Sequence, residues 1–461
     1  MTRVNADLDK GLVSDEERMY IDSLVKSVIS RSEKIETVRG PNEDLVESYE
    51  QVVRGTGEVR GRPLMYPYVG SGIGRGPYVQ LKDGSVKMDL INGIGIHIMG
   101  HSHPEVIRAS LEGSLSDIVM QGNLQPNLEY YEYSKKLVSL ASRKSRLKYV
   151  WLATCGSLAN ENALKASRQK TSPAKFIIAM EAAFAGRTTM MAEITDNPGF
   201  KQGLPNYDEV LRVPFYNKKE QGSSEKALAK LKEHVEKHEG NICTFTFEPM
   251  QGEGGYNVAP REFFVPMLEF CKEKGIPVWL DEVQTFSRTG QFFAFETLDI
   301  GEYVDLCTIA KTAQNGATFF TEELNPKPGL IAGTFSGSTP ALRAGLKILD
   351  ILDNESYMGP SGKVQEIHEG FISMLNQLNE TTCKGLLQDA EGLGLMVAVT
   401  PLDGSKEKVT QLLQTLYKNG LITFSCGRKV TRLRFLLPAV MKKEDIELAG
   451  KIIEKSILEI N

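Results

Sequence analysis

IPVWLDEVQTFSRTGQFFAFETLDIGEYVDLCTIAK, residues 276–311, holds two short apolar runs, one closing on an acid and the other on a lysine. Short continuous apolar runs of this kind read as buried parallel strands. Read so, PVWLDEV and VDLCTIAK deliver Asp281 and Lys311 to the same carboxyl edge of a sheet, where open α/β folds bind their ligands. An acid and an amine then face one pocket.

That pairing suits pyridoxal phosphate, which needs a lysine for its aldehyde and a carboxylate for its pyridinium nitrogen. A strand-end acid and a solvated lysine would look the same from these two residues alone, so the other segments decide.

At 461 residues the chain is long for one core, and two or more lobes are expected. A net charge of −5 with 25% charged residues argues against nucleic acid as the main partner and points to a small-molecule site. No apolar run approaches the roughly 20 residues that span a bilayer. The start, MTRVNADLDKGLVSDEER, is too polar for a secretory signal, so no membrane partner and a cytoplasmic location are expected. Cys155, Cys243, Cys271, Cys307, Cys383 and Cys426 lie far apart without a CxxC pair and read as reduced thiols.

Upstream, Ile21, Leu24, Val25, Val28 and Ile29 have the spacing of one helical face and predict an amphipathic arm over residues 15–36. YVQLKDGSVKMDL predicts a hairpin around its Asp-Gly turn. GSGIGRG, residues 70–76, has dinucleotide-like glycine spacing, but no strand precedes it and Pro77 follows where a helix should start. His97, His101 and His103 lack a carboxylate or cysteine to complete a ligand set, so no metal is expected, and Pro104 looks like the first residue of a helix.

LKYVWLATCGSLANENALKASRQK, residues 147–170, reads as strand, small-residue turn and helix. Gly156 lets the backbone approach an anion, and Ser157 sits where the helix exposes its free amides, which suits a phosphate or simply a turn. KFIIAM and NICTFTFEP read as further buried strands, the second ending in Glu248-Pro249; the loop after the first bears Phe184 and Arg187, and the Gly-rich loop after the second bears Glu253. An aromatic such as Phe184 can cover a flat ring, and an arginine such as Arg187 can fork onto a carboxylate. Trp151 and Trp279 are core by default. Recurrent strand-then-helix units from 147 to 311 indicate a parallel sheet with helices on both faces. From about Ala341 the pattern turns helix-rich and then α+β, which makes a second lobe. His234 and His238, in a charged helix, read as a solvated face.

Taken together, MGHSHPEV, CGSLANENALKASR, AFAGRT, EPMQGEGG, LDEVQTFSRTGQFFAFE, IAKTAQNG, TFSGSTP and LRFLLPAV resemble the class III pyridoxal-phosphate aminotransferases from about residue 60 to 455. The resemblance implies an α/β chain of fold type I. Residues 1–95 would form a helical arm and lead-in segment, part of the small domain. Residues 96–344 would form a large cofactor-binding domain on a mostly parallel sheet, and residues 345–461 a small α+β domain.

It further implies that Lys311 carries the cofactor aldehyde as an imine and Asp281 pairs with the ring nitrogen. Gln284 would lie near the phenolic oxygen, Phe184 on the ring, and Gly156 and Ser157 at the phosphate. Thr334 resembles the threonine that reaches the phosphate from the partner subunit, which implies a homodimer with shared active sites. Arg434 resembles the arginine for a substrate α-carboxylate, Glu253 the acid that gates it, and Arg187 the arginine for a distal carboxylate. Tyr66 or Tyr68 would line the donor's tail.

Departures from the family pattern fall at Cys155, Leu158, Ala185 and the TAQNG that follows Lys311. They bear on substrate identity more than on the core chemistry. The resulting expectation is an aminotransferase that binds pyridoxal 5′-phosphate and moves an amino group, terminal in the donor, from an amino acid or amine to 2-oxoglutarate. Its rivals are an aminomutase of the same fold and a catalytically silent cofactor-binding protein.

Overall fold

A computed structural model describes residues 13–461. The polar opening residues 1–12 lie outside the described residues. The arm forms as a helix over Asp15–Ser32, started by a capping box between Ser14 and Glu17. It lays Ile21 and Val25 against Ile107 and Leu111 of the helix Pro104–Ser114, while Leu24 stays exposed, so the buried stripe is narrower than expected. A second helix, Glu43–Arg60, buries only Tyr49.

Strands β1 (Gly70–Arg75), β2 (Tyr78–Leu81) and β3 (Val86–Asp89) form an antiparallel meander, in which GSGIGRG is simply the first strand. The short β4 (Met120–Gln121) follows. The central sheet contains β5 (Tyr149–Ala153), β6 (Phe176–Met180), β7 (Val210–Val213), β8 (Ile242–Phe247), β9 (Val278–Asp281), β10 (Leu306–Ile309) and β11 (Gly316–Phe320). Its order is β5-β11-β10-β9-β8-β6-β7, parallel except that β11 runs against both of its neighbours. Strand β11 turns straight back from the lysine through a tight turn, which a helical crossover could not do.

Alternation along the strands sends side chains to two apolar layers. Ile177, Trp279, Leu306 and Phe320 meet Ala163 and Leu164 of the helix Gly156–Thr171. Ile178, Phe245, Leu280 and Phe319 join the main core with Phe263, Phe264 and Met267 of the helix Arg261–Glu273. Trp151 is only partly buried, because β5 lies at an edge of the sheet.

Beyond the central sheet, β12 (Gly337–Ser338) pairs with β4. The C-terminal part contributes β13 (Leu387–Leu393), β14 (Met396–Pro401), β15 (Leu421–Ile422), β16 (Phe424–Cys426) and β17 (Arg432–Leu436). Four of these make a sheet ordered β13-β14-β17-β16, whereas β15 crosses to pair with β3. The lead-in segment and the C-terminal part are therefore joined by main-chain hydrogen bonds.

Candidate active site

Asp281 ends β9 and pairs in register with Thr308 of β10, so Lys311, three residues on, emerges on the same rim. The acid pair Asp281-Glu282 is divided by the strand's alternation. Glu282 turns into the core and accepts hydrogen bonds from the Ala294 and Phe295 amides. Asp281 faces a cavity of about 360 Å³, which is also lined by Gly156, Ser157, Phe184, Gln284 and Lys311.

Both oxygens of Asp281 are fixed. Oδ1 accepts the Val283 amide at 3.0 Å, and Oδ2 accepts Nδ2 of Asn160 at 2.6 Å. The same Asn160 nitrogen donates to the Ala185 carbonyl at 2.7 Å, which ties the loop bearing Phe184 to the acid. Glu248, just past β8, accepts the Phe184 amide at 3.0 Å and the Gly252 amide at 2.9 Å. One carboxylate therefore anchors both the Phe184 loop and the loop that carries Glu253. Gly186 has φ +132, and a side chain there would strike Ser157 Oγ. Its glycine lets the loop close over the helix start.

Burial raises Asp281 to about 6, against the Val283 amide, Asn160 and the charge of Lys311. Burial and then the charge of Asp281 push Glu248 up to about 8. Lys311 is brought down from 10.5 to about 8, first by burial and then by Arg288 and Arg434, against the pull of Asp281 and Glu248. An amine so poised can hold and release a proton near neutral pH.

The remaining predicted residues stand off the cavity. Arg434 is buried on β17, its Nη1 bonded to Glu253 Oε1 at 2.5 Å. Arg187 lays its guanidinium over Phe200, 3.4 Å from the ring centroid. Thr334 is exposed on the segment leading to β12. Tyr66 is buried, stacked on Tyr417 with its hydroxyl donated to the Thr423 carbonyl at 2.7 Å, and Tyr68 does not border the cavity either. The structure therefore gives Tyr66 a packing role in place of the expected donor contact. Hydrophobicity drew that ring inward, away from the rim.

The cavity residues Asn160 and Ile96 were not singled out from sequence; Gln314 and Asn315 entered only within the departing TAQNG stretch, and Glu248 only as a strand end. Asn160 follows Gly156 by one helical turn, so the spacing on the same face was a usable signal. His101 and Asp89 pair at 3.0 Å, and Asp89 also accepts the Ile91 and Asn92 amides, which holds the turn before Ile96.

The sequence matches the family described as aminotransferase class-III over residues 67–457. The chain belongs to the class III aminotransferases. Among curated relatives, the acetylornithine aminotransferase of Bacillus anthracis is 30% identical over 397 residues, 84% of this chain and 94% of that one. The 5-aminovalerate aminotransferase of Pseudomonas aeruginosa is 30% identical over 398 residues, 82% and 91% of the two chains. In fold, this aminotransferase is similar to a lysine aminotransferase from M. tuberculosis in its internal aldimine form. The TM-score is 0.79 at 20% identity, covering 89% of this chain and 100% of that one.

The family depends on pyridoxal phosphate, and the residues present fit it. Gln284 Oε1 and Asn160 Oδ1 are buried at the cavity without a hydrogen-bond partner, as expected of walls built around a polar ligand. A buried acid and a buried amine face the same space, and the free amides at the start of a 16-residue helix border it. No helix among the described residues is long and apolar enough to cross a membrane.

Proposed function

We propose that this aminotransferase binds pyridoxal 5′-phosphate on Lys311 and moves the terminal amino group of an amino acid or amine to 2-oxoglutarate, in the cytoplasm. When bound, the cofactor supplies an aldehyde that captures the amine and a ring that takes up the electron pair left on the donor carbon. Lys311 Nζ, whose hold on its proton is weakened by burial to about 8, would take up and give back the proton that moves between carbons. Asp281, fixed through both oxygens, would hold the proton of the ring nitrogen. Phe184 would cover the ring, Gln284 would lie near its phenolic oxygen, and Gly156 and Ser157 would hold the phosphate.

The observation that carries the terminal-donor reading is the closed Glu253–Arg434 pair. With Arg434 neutralised and Arg187 resting on Phe200, the cavity offers no free guanidinium among the described residues to an α-carboxylate, which suits an amine on a plain chain. For 2-oxoglutarate, Glu253 releases Arg434 and Arg187 leaves Phe200, and two forked cations then match two carboxylates. The relatives named for acetylornithine, 5-aminovalerate and lysine support an amino-acid donor.

Arg434→Ala separates the two halves of the reaction. Losing one desolvated charge partner should slow the 2-oxoglutarate half-reaction by at least ~30-fold and leave donor deamination within a few-fold. Single-turnover absorbance reads each half alone. Equal loss in both would contradict the Glu253–Arg434 scheme.

The homodimer reading rests on Thr334 and its surroundings. Val119, Met120, Leu124, Leu128, Tyr131 and Phe335 are exposed apolar residues around the β4–β12 ribbon that leads from Thr334. A second copy covering this face would bring its Thr334 to the phosphate of the first. Sedimentation should give the mass of two chains for the active species, and a fully active monomer would sink the reading.

A further inference from the structure

The turn that carries Lys311 is held in an uncommon backbone conformation. Lys311 has φ +53 and Gln314 φ +61, so two residues with side chains occupy the left-handed region within one short turn. A glycine would sit at position 314 without strain, so the glutamine there directs attention to what its side chain touches. The Gln314 amide nitrogen of the backbone closes the turn onto the Lys311 carbonyl at 2.9 Å.

Its side chain reaches a second strained segment. Asn92, Gly93, Ile94 and Gly95 are four consecutive left-handed residues, with φ of 50, 62, 62 and 83. Gln314 Nε2 donates to the carbonyl of Ile96, the next residue, at 2.9 Å. Arg288, fully buried, donates to the adjacent Gly95 carbonyl. The Asn92–Ile96 turn is thus pinned from the lysine turn by one amide and from the 284–288 loop by one guanidinium.

Ile96 and Gln314 both line the cavity, and Ile96 remains 39% exposed. Among the described residues, the acids and bases that border the cavity are Glu248, Asp281 and Lys311. The wall made by Ile96 and Gln314 is uncharged, and the amide bridge closes the gap between its two halves.

We infer that Gln314 is a specificity-determining residue: its bridge to Ile96 narrows the cavity beside Lys311, so that donors with an unbranched, uncharged chain next to the reacting carbon enter and branched ones are excluded. This deepens the proposed amine transfer and rests on it for the substrate part, whereas the bridge itself stands on geometry.

The test uses Gln314→Gly, which removes both bulk and bridge, and Gln314→Met, which keeps the length but has no donor. Amide hydrogen exchange of residues 92–97 in the holoenzyme reads the bridge without any turnover. Exchange should quicken in both variants by about 2- to 10-fold, the factor given by one lost hydrogen bond. Steady-state kinetics then compares a linear ω-amino acid with the same chain carrying a methyl group on the carbon next to the amine-bearing carbon. In Gln314→Gly the branched-to-linear ratio of kcat/KM should rise by about 10-fold or more, and Gln314→Met should stay closer to wild type.

Unchanged exchange overturns the bridge. Faster exchange with an unchanged ratio overturns the selectivity. No turnover by wild-type holoenzyme with either donor overturns the amine-transfer reading and the selectivity with it, while the exchange data still decide the bridge.

Discussion

Lys311→Ala is expected to lower transamination by at least ~10,000-fold, because the side chain serves as both nucleophile and proton carrier. Among the described residues no other lysine lines the cavity, so no neighbouring amine there can take over either task. The variant also leaves Asp281 and Glu248 facing one cavity without the cation that lowers both, and both acids should bind protons more readily. Lys311→Arg should do no better, since a guanidinium keeps its proton throughout the working pH range. A coupled assay of product formation measures the loss. Residual turnover within about 100-fold of wild type, the lower end of what proton transfer alone contributes, would contradict the dual role.

Asp281→Asn is expected to keep the cofactor and lose ~100- to 1,000-fold in turnover, the size of effect seen when one preorganised electrostatic partner is removed. A neutral amide does not hold a pyridinium proton as a carboxylate does. The structure adds a second cost. Asn160 Nδ2 donates to Asp281 Oδ2, so an asparagine at 281 must either present its own NH2 to that donor or flip and lose the acceptor for the Val283 amide. Adding Asn160→Asp restores a carboxylate–amide pair but puts the charge on the wrong residue, and this double variant should remain slow. Near-wild-type turnover in the single variant would show that another group partners the ring nitrogen.

The rim of the site was legible because its strands are continuous apolar runs that end on chemistry: LD at 280–281 and IAK at 309–311. What the sequence concealed lies at long separation. Arg434 meets Glu253 across 181 positions, and Arg187 stacks on Phe200 through a loop whose path no periodicity reports. Strand β11, GATFF, was hidden because it follows the lysine turn immediately and reverses direction. The helix Glu43–Arg60 carried its cap signals, Asn42 and Gly61, but Leu45, Val52 and Val59 face outward, so no buried stripe marked it. Tyr66 shows the limit of reading function from residue type. An aromatic in the lead-in segment suits a substrate tail, yet packing on Tyr417 and a bond to Thr423 fully employ it.

The central claim is that one buried lysine, set opposite a fixed carboxylate, holds the cofactor. Borohydride reduction of the holoenzyme, followed by proteolysis and mass mapping, tests it most directly. The account predicts a single pyridoxyl label on the peptide that contains Lys311; a label on any other lysine would contradict it.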